Sequence, residues 1–593
     1  METRVTPPFA QYGAKESVDS RAASKSDVTS IGSPVALTNR HALPKSSYRH
    51  SQLVVLLPTF WFRLAWLSLL TLQVAVAVAI LHYGYLFHYF SAEGMTYYVN
   101  LLGLMPPPAL ARVAKYMLAL CVWHLLMAVR TVWASIRARR LVFASLTPVG
   151  TKPPEPSPSS SPTRFTTRCE QSLVRVYHWF WYELLGRRGV FGVESPLFDA
   201  LFVLRELIEI GSQTYQTFRL THLVASPWIT NLSTLLVVAN CVSTPVVRHF
   251  CRGKPAIERA VCLAIDALLD ISTSLGIPLV IFWPYYQAFD REIIGFADEL
   301  LFDDVWQIRA LMENKQIYMT SDVDCVSKLV PLVSMISSFN GIRKLIQERP
   351  PVGAIKPLTS GKGSTRKLTA AIGSKNQSQD RIRSVLESFW EDRVASVITV
   401  RTRSRVNRFV HTLLLFWAIT VGVIHLIAIK TSYGTGEEFG CKLSTRPWFS
   451  TRFSCAVLEV NCNRQELSGG AALELARIMD TFEGGSLSSL IISHCPELSV
   501  PSQLQHFSRL LSMEVYNSTI VAWPRSSALT QQHHPAIGLL TLVRCNMSEL
   551  PEGVLVDHPR ALTDITIVAS NLTSFPRDLD ARWLGVSSLL IEQ

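Results

Sequence analysis

The sequence predicts an α-helical polytopic membrane domain of about seven transmembrane segments, followed by a C-terminal α/β domain of stacked strand repeats. Three observations predict it. Hydrophobic residues make up 48% of the 593 and charged residues only 17%, with a mean hydropathy of +0.22, a balance typical of several membrane spans. Apolar segments of spanning length recur between residues 64 and 429. Beyond residue 430 they stop, and short alternating apolar runs return at regular intervals instead.

Residues 1–50 are polar and rich in Ser, Ala and Pro, which predicts a disordered tail. They hold no early apolar run, so no cleavable signal peptide is expected, and the first apolar segment would serve as an uncleaved anchor. The helical domain is expected over 51–342. Leu64 to Phe87 opens it with 24 charge-free residues. Tyr116 to Ile136 is interrupted only by Arg130, which can snorkel to the nearby interface. A Pro/Ser-rich loop, 137–190, cannot form a packed core. Ser195 to Phe218 has helical apolar spacing broken by Asp199, Arg205, Glu206 and Glu209, and either spans or lies in the interface as an amphipathic helix. Leu223 to Val247 has 25 residues and no charge. Ala260 to Tyr285 carries Asp266 and Asp270, Val326 to Ile342 is short, and a basic loop covers 343–407. Val410 to Ile429, flanked by Arg408 and Lys430 in a last helix over 408–430, is the clearest span.

The net charge of +12 is distributed as a membrane topology requires, not as a nucleic-acid surface. Arg343 to Asn407 holds 14 Lys/Arg against 5 Asp/Glu, Arg137 to Val190 holds 9 against 3, and Arg248 to Arg259 holds 4 against 1. Pro284 to Cys325 is the reverse, with 3 basic residues against 9 acidic. If all seven segments span, the three basic loops share one side, which places the N-terminus in the cytoplasm and the C-terminus outside. Dropping the third segment breaks this parity. Asp266 and Asp270 are four residues apart and share a helix face, as do Arg205 and Glu209. Such charges must face protein or water, as an ion or proton path or as pairing that locks the helices. Pairing is favoured, because no internal repeat of the transporter kind is visible.

The last domain, 431–593, begins with a cysteine-containing cap. Its runs "LSSLIISHCPELSVP" from Leu487, "LLSMEVYNSTIVAWP" from Leu510, "IGLLTLVRCNMSELP" from Ile537 and "LTDITIVASNLTSFP" from Leu562 share one pattern, and "VSSLLIEQ" starts a truncated fifth. Their starts are 23, 27, 25 and 24 residues apart, and "CAVLEVNC" is a degenerate earlier unit. This pattern resembles the leucine-rich-repeat family over roughly Cys455 to Gln593, and the whole arrangement is similar to multipass leucine-rich-repeat membrane proteins of oomycete type. The resemblance implies a solenoid whose alternating apolar side chains fill a core closed by neighbouring repeats. It places Cys495, Cys545, Ser518 and Ser570 at a buried turn after each strand. It implies a curved strand face for a protein or peptide ligand, bearing Ser488, Ile491, Glu514, Thr541, Thr563, Thr566 and Ser588. It also suggests a disulfide-tied cap, with Cys441 paired to Cys455 or Cys462.

Sequons at Asn517, Asn546 and Asn571 fall in turns of consecutive repeats and are glycosylation candidates on an external face. Those at Asn231 and Asn376, in a span and in the basic loop, are taken as chance. No enzyme is expected. "GKGSTRK" at Gly361 departs from the phosphate-loop pattern, and His533 and His534 have no third ligand at metal spacing and read as an exposed loop. Ser384, behind Arg381 and Arg383, could be phosphorylated to weaken lipid contact by the basic loop. The expected function is receptor-like recognition at the plasma membrane, with lipid, a protein or peptide ligand and a cytoplasmic signalling partner but no cofactor. The alternative is a channel or transporter with an accessory repeat domain.

Overall fold

The computed structural model describes residues 53–143, 187, 189–195, 197–293, 295–349, 400–432, 436, 438–467 and 471–592. The N-terminal tail, most of the Pro/Ser-rich loop, and Gly361, Asn376 and Ser384 of the basic loop lie outside them. A short strand β1 (Val55–Leu57) leads into α1 (Thr59–Phe90). After it come α2 (Thr96–Leu101) and α3 (Pro107–Ala138), then α4 (Phe198–Leu223), α5 (Pro227–Phe250) and α6 (Pro255–Ile271). A π-helical turn, Ser272–Gly276, joins α6 to α7 (Ile277–Ala288) without a break in direction. The chain goes on through α8 (Asp304–Ile317), α9 (Asp322–Leu345), β2 (Ile346–Glu348) and α10 (Val400–Thr431).

Six of these runs are long and apolar enough to cross a membrane: α1, α3, α5, α6 through α7, α9, and Arg408–Thr431 within α10. Proline at the first turn starts α3, α5 and α6, where its missing N–H costs no hydrogen bond. Gly84 lets α1 press on α3, because a Cβ there would lie 3.2 Å from Met117 Cβ. At one end of the bundle β1 pairs in parallel with β2. There Arg187 donates to the carbonyls of Leu53 (2.6 Å) and Lys344 (2.7 Å) and pairs with Glu194 (2.6 Å). At the other end lies the C-terminal sheet.

That sheet has seven strands in the order β11-β10-β9-β7-β5-β4-β3. Its members are β3 (Cys441–Ser444), β4 (Cys455–Asn461), β5 (Ser489–Ser493), β7 (Ser512–Tyr516), β9 (Leu539–Val543), β10 (Asp564–Val568) and β11 (Ser588–Glu592). Only β3 is antiparallel to its neighbour. A smaller sheet pairs β6 (Leu498–Ser499) with β8 (Ile520–Ala522) behind the turns. The register aligns Leu458, Leu490, Met513, Leu540, Ile565 and Leu589 in one column across the sheet. From Leu458 to Ile565 that column is buried, as alternation along each strand demands. The degenerate run "CAVLEVNC" is a full strand of this sheet.

In the seven-stranded sheet, β5, β7, β9 and β10 are each followed by a left-handed residue: His494 (φ 54°), Asn517 (φ 44°), Arg544 (φ 52°) and Ala569 (φ 52°). The N–H of each then donates to the last carbonyl of the next strand, at 3.1, 2.9, 2.8 and 2.7 Å. Four repeats thus turn by one device although their sequences differ. Asn tolerates this region, whereas Ala pays a Cβ–carbonyl clash. Ala569→Gly should therefore stabilise the sheet domain by about 1 kcal/mol, read as a higher urea midpoint for amide-exchange protection of β10 and β11. An unchanged or lower midpoint would contradict the steric account.

Candidate functional site

The chemistry-bearing residues of the bundle sit on α4, and its amphipathicity is inverted. Leu204, Leu207 and Ile208 face outward, while Glu206, Glu209, Ser212, Gln213 and Thr217 are buried. A soluble helix would reverse this arrangement, so α4 turns its apolar stripe to the surroundings and its polar stripe to its neighbours. Arg205 is the hub. Its guanidinium pairs with Glu209 (3.0 Å) on its own helix and with Asp266 of α6, and donates to Ser338 Oγ of α9 (3.0 Å). Ser334 donates to Glu209, and Thr244 of α5 donates to Glu206.

Toward the sheet end the row continues in amides. Gln213 donates to Asp270 (3.1 Å) and accepts from Asn240 of α5 (2.9 Å). Gln216 donates to Asp324 (2.9 Å) and Ser327 (2.6 Å) of α9. Asp324 also binds Arg219 and Lys328, so the row ends in an ion triad. The structure brings Arg205, Glu206, Glu209, Asp266 and Asp270 together, where the sequence showed only that Arg205 shares a face with Glu209 and Asp266 with Asp270. It did not single out Gln213, Gln216, Asn240, Arg219, Asp324 or Lys328. The polar spacing 205, 206, 209, 212, 213, 216 along α4 carried that signal. Arg130 is half-buried on α3. Among the described residues no group of three His, Cys, Asp or Glu is placed to hold a metal ion.

Outside the bundle, the expected ligand face is occupied. α8 lies across it: Ile308 and Met312 pack on Ala456, Val457, Ile491 and Leu511. Ser488, Ile491 and Glu514 are buried in consequence. Further along, Tyr97 of α2 donates to Asp564 (3.0 Å), which also accepts from the now-buried Thr563 (2.7 Å). Thr541 and Thr566 are half-covered, and only Ser588 of the expected set is fully exposed. Repeat spacing reveals which side chains share this face, but not that other parts of the same chain rest on it. On the far side of α8, Gln316 donates to Gln216 Oε1 (3.1 Å), and Arg219 reaches the Lys315 carbonyl (2.9 Å). One helix therefore touches both the sheet and the polar row.

Two carboxylates meet where α8 begins. Glu514 accepts from Ser512 (2.7 Å) and Tyr516 (2.6 Å), and Asp304 faces it with Asp303 and Glu459 nearby. Burial, then the Glu514 charge, pushes the Asp304 carboxyl up to about 7. Burial followed by Asp564 likewise raises the Tyr97 phenol to about 12.

Cys441 is bonded to Cys455, tying β3 to β4, and Cys462 is bonded to Cys495, tying the end of β4 to the turn after β5. Cys495 was expected only as a buried turn residue; its equivalent Cys545 is buried and free. Asn517, Asn546 and Asn571 are all exposed, and Asn571 donates to Asn546 Oδ1 (2.7 Å). Asn231 is exposed on α5, and its Oδ1 meets His425 Nε2 (2.9 Å). His534 is not in an exposed loop: it is buried, with Nε2 on the Leu504 carbonyl (2.9 Å). Compared with known families, curated proteins and solved structures, the chain matches none.

Arg205→Met leaves Glu209 and Asp266 without their cation inside the bundle. Loss of one partner of such a pair costs about 3–5 kcal/mol, so the variant should show a sharply lower yield of folded protein and a lower unfolding temperature. Wild-type behaviour would mean that the charges are not buried together. The sign for Asp304 follows from its raised value. Its support for α8 docking is full below the ordinary carboxyl range near ~4 and lost as pH rises through about 7. Amide exchange of residues 304–317, corrected for intrinsic rate, should accelerate between pH 5 and 8 (about the span of this titration) in wild type but not in Asp304→Asn. Identical profiles would remove the carboxyl pair as the cause.

Proposed function

We propose that the chain is a receptor-like membrane protein with seven spans and an external domain of leucine-rich-repeat type, recognising a protein or peptide at the plasma membrane. The seventh span in this reading is α4, 26 residues long with its apolar stripe facing outward. The N-terminus and basic loop are then cytoplasmic, where a signalling partner would bind, and Asn517, Asn546 and Asn571 carry glycans outside. The observation that carries the proposal is the position of α8, held by the sheet on one face and by the polar row of α4 on the other. A ligand on the outer domain that shifts α8 would thereby act on the bundle. Its contact surface would be the part of the strand face left open around Thr566 and Ser588, together with the rim.

A second reading, transport, is favoured by the four carboxylates Glu206, Glu209, Asp266 and Asp270 gathered around one guanidinium. Each has one oxygen without a hydrogen-bond partner among the described residues. Two measurements on the full-length protein separate the readings. Glycosidase applied to intact cells should shift the wild type in steps that the Asn517→Gln, Asn546→Gln and Asn571→Gln triple variant lacks. Access of protease to the sheet domain from the cytosol alone would end the receptor proposal. In proteoliposomes, proton or potassium flux in wild type that disappears in Asp266→Asn/Asp270→Asn would replace it with transport.

A further inference from the structure

Beneath α8 the bundle holds a partly open cavity of ≈ 70 Å³ lined from α1, α3, α4, α5, the π-helical turn, α7, α8 and α9. At ~10–15 Å³ per water, that space holds about five waters or one small solute of similar bulk. One wall is apolar, formed by Tyr83, Phe87, Leu220, Ile277 and Ile281. The rest of the lining includes polar groups from Gln213, Gln216, Ser274, Gln316, Ser327 and Lys328.

Most of these polar groups are already committed. The Lys328 ammonium is held by the Tyr318 carbonyl (2.5 Å) and by Asp324 (3.1 Å). Ser327 donates to the Asp324 carbonyl (2.9 Å) and accepts from Gln216 (2.6 Å). Two groups are left without partners among the described residues, Gln316 Oε1 and Ser274 Oγ. Gln316 is only 6% exposed, so an unmet acceptor there is costly unless something fills it. On the π-helical turn, Ser272 and Thr273 bond back to the carbonyls of Leu268 (2.8 Å) and Leu269 (2.9 Å), and Ser274 does not. Turns of this type concentrate at functional sites, because the extra residue redirects side chains from the helix register.

These facts define the occupant. Its charge is neutral, because the one ionic group on the wall already has its counter-ion. It carries hydrogen-bonding hydroxyls on one edge, to meet an amide oxygen and a serine. Its other edge is hydrocarbon, to lie on tyrosine and phenylalanine. We propose that the cavity binds one small neutral hydroxylated solute, of the size and chemistry of a simple polyol, between Gln316 and Ser274 and the aromatic wall. Gln316, Ile317 and Met319 roof the site, so α8 and its exit serve as its lid. The site differs in place and chemistry from the outer strand face, although α8 borders both.

The test uses full-length protein in lipid nanodiscs carrying Ser274→Cys, with wild type as background for the native thiols. Thr273→Cys, one residue earlier on the turn, is a second reporter should the first fold poorly. Three methanethiosulfonates of similar length are compared: neutral hydroxyethyl, cationic trimethylammonioethyl and anionic sulfonatoethyl. The neutral reagent should label at least about tenfold faster than either charged one, as exclusion of ions from this depth requires. Glycerol should slow that labelling and the bulkier sucrose should not, while Gln316→Leu should keep the labelling and lose the protection by glycerol. Equal rates for all three reagents, or equal slowing by sucrose, would overturn the proposal in favour of an open aqueous vestibule. No labelling at either position would overturn it in favour of a sealed packing defect.

Discussion

A guanidinium inside a helical bundle cannot shed its charge at any accessible pH, so its partners must be brought to it. Arg205 imposes this requirement on three helices together. It fixes the rotation of α4 so that Glu209 lies beside it, that of α6 so that Asp266 faces it, and that of α9 so that Ser338 can accept from it. With those rotations set, the amides of Gln213 and Gln216 fall one and two turns further along the same stripe. They meet Asp270 and Asp324 with no further adjustment. The apolar sides of the same helices are then left to face outward, where six of the runs have the hydropathy for lipid.

The sheet sits on the bundle through groups that each serve two parts of the chain. Trp448, in the connection between β3 and β4, donates its indole N–H to His425 Nδ1 (3.1 Å), and His425 Nε2 meets Asn231 (2.9 Å). That arrangement requires the proton on Nε2 and makes the ring a link between α10 and α5. α8 performs the same service from the opposite direction with apolar contacts, giving Ile308 and Met312 to the strand face and Gln316 to α4. The strand face that a freestanding stack would offer to a ligand is here largely an internal surface.

What was legible in the sequence follows from which forces act locally. Strand repeats announce themselves because neighbouring turns share one core, so Leu490, Met513, Leu540 and Ile565 had to be apolar at fixed intervals. Six helices of spanning length and hydropathy were legible because their apolar character runs along the whole of each segment. Arg205, Glu206 and Glu209 looked like interruptions of an apolar run, although they are the inward side of an ordered stripe. Only the identity of their partners on other helices was hidden. Long-range choices were not legible at all. Nothing near Cys495 distinguishes a thiol bonded to Cys462 from the free thiol of Cys545 at the equivalent turn. Nothing in the repeat pattern signals that α8, about 200 residues earlier than the middle strand of the sheet, would cover Ile491 and Glu514.

The sheet is fastened unevenly. Both covalent links lie between β3 and the turn after β5, α8 presses on the same strands, and from β9 onward the stack relies on hydrogen bonds and side-chain packing alone. At β11 even the packing thins, leaving Leu589 and Ile591 exposed. A pull on the C-terminal end would therefore unzip the repeats one after another and stall at the stapled strands, giving the domain a built-in mechanical polarity in which its distal half yields, releasing the Tyr97 contact to Asp564, while the stapled portion beneath α8 stays intact.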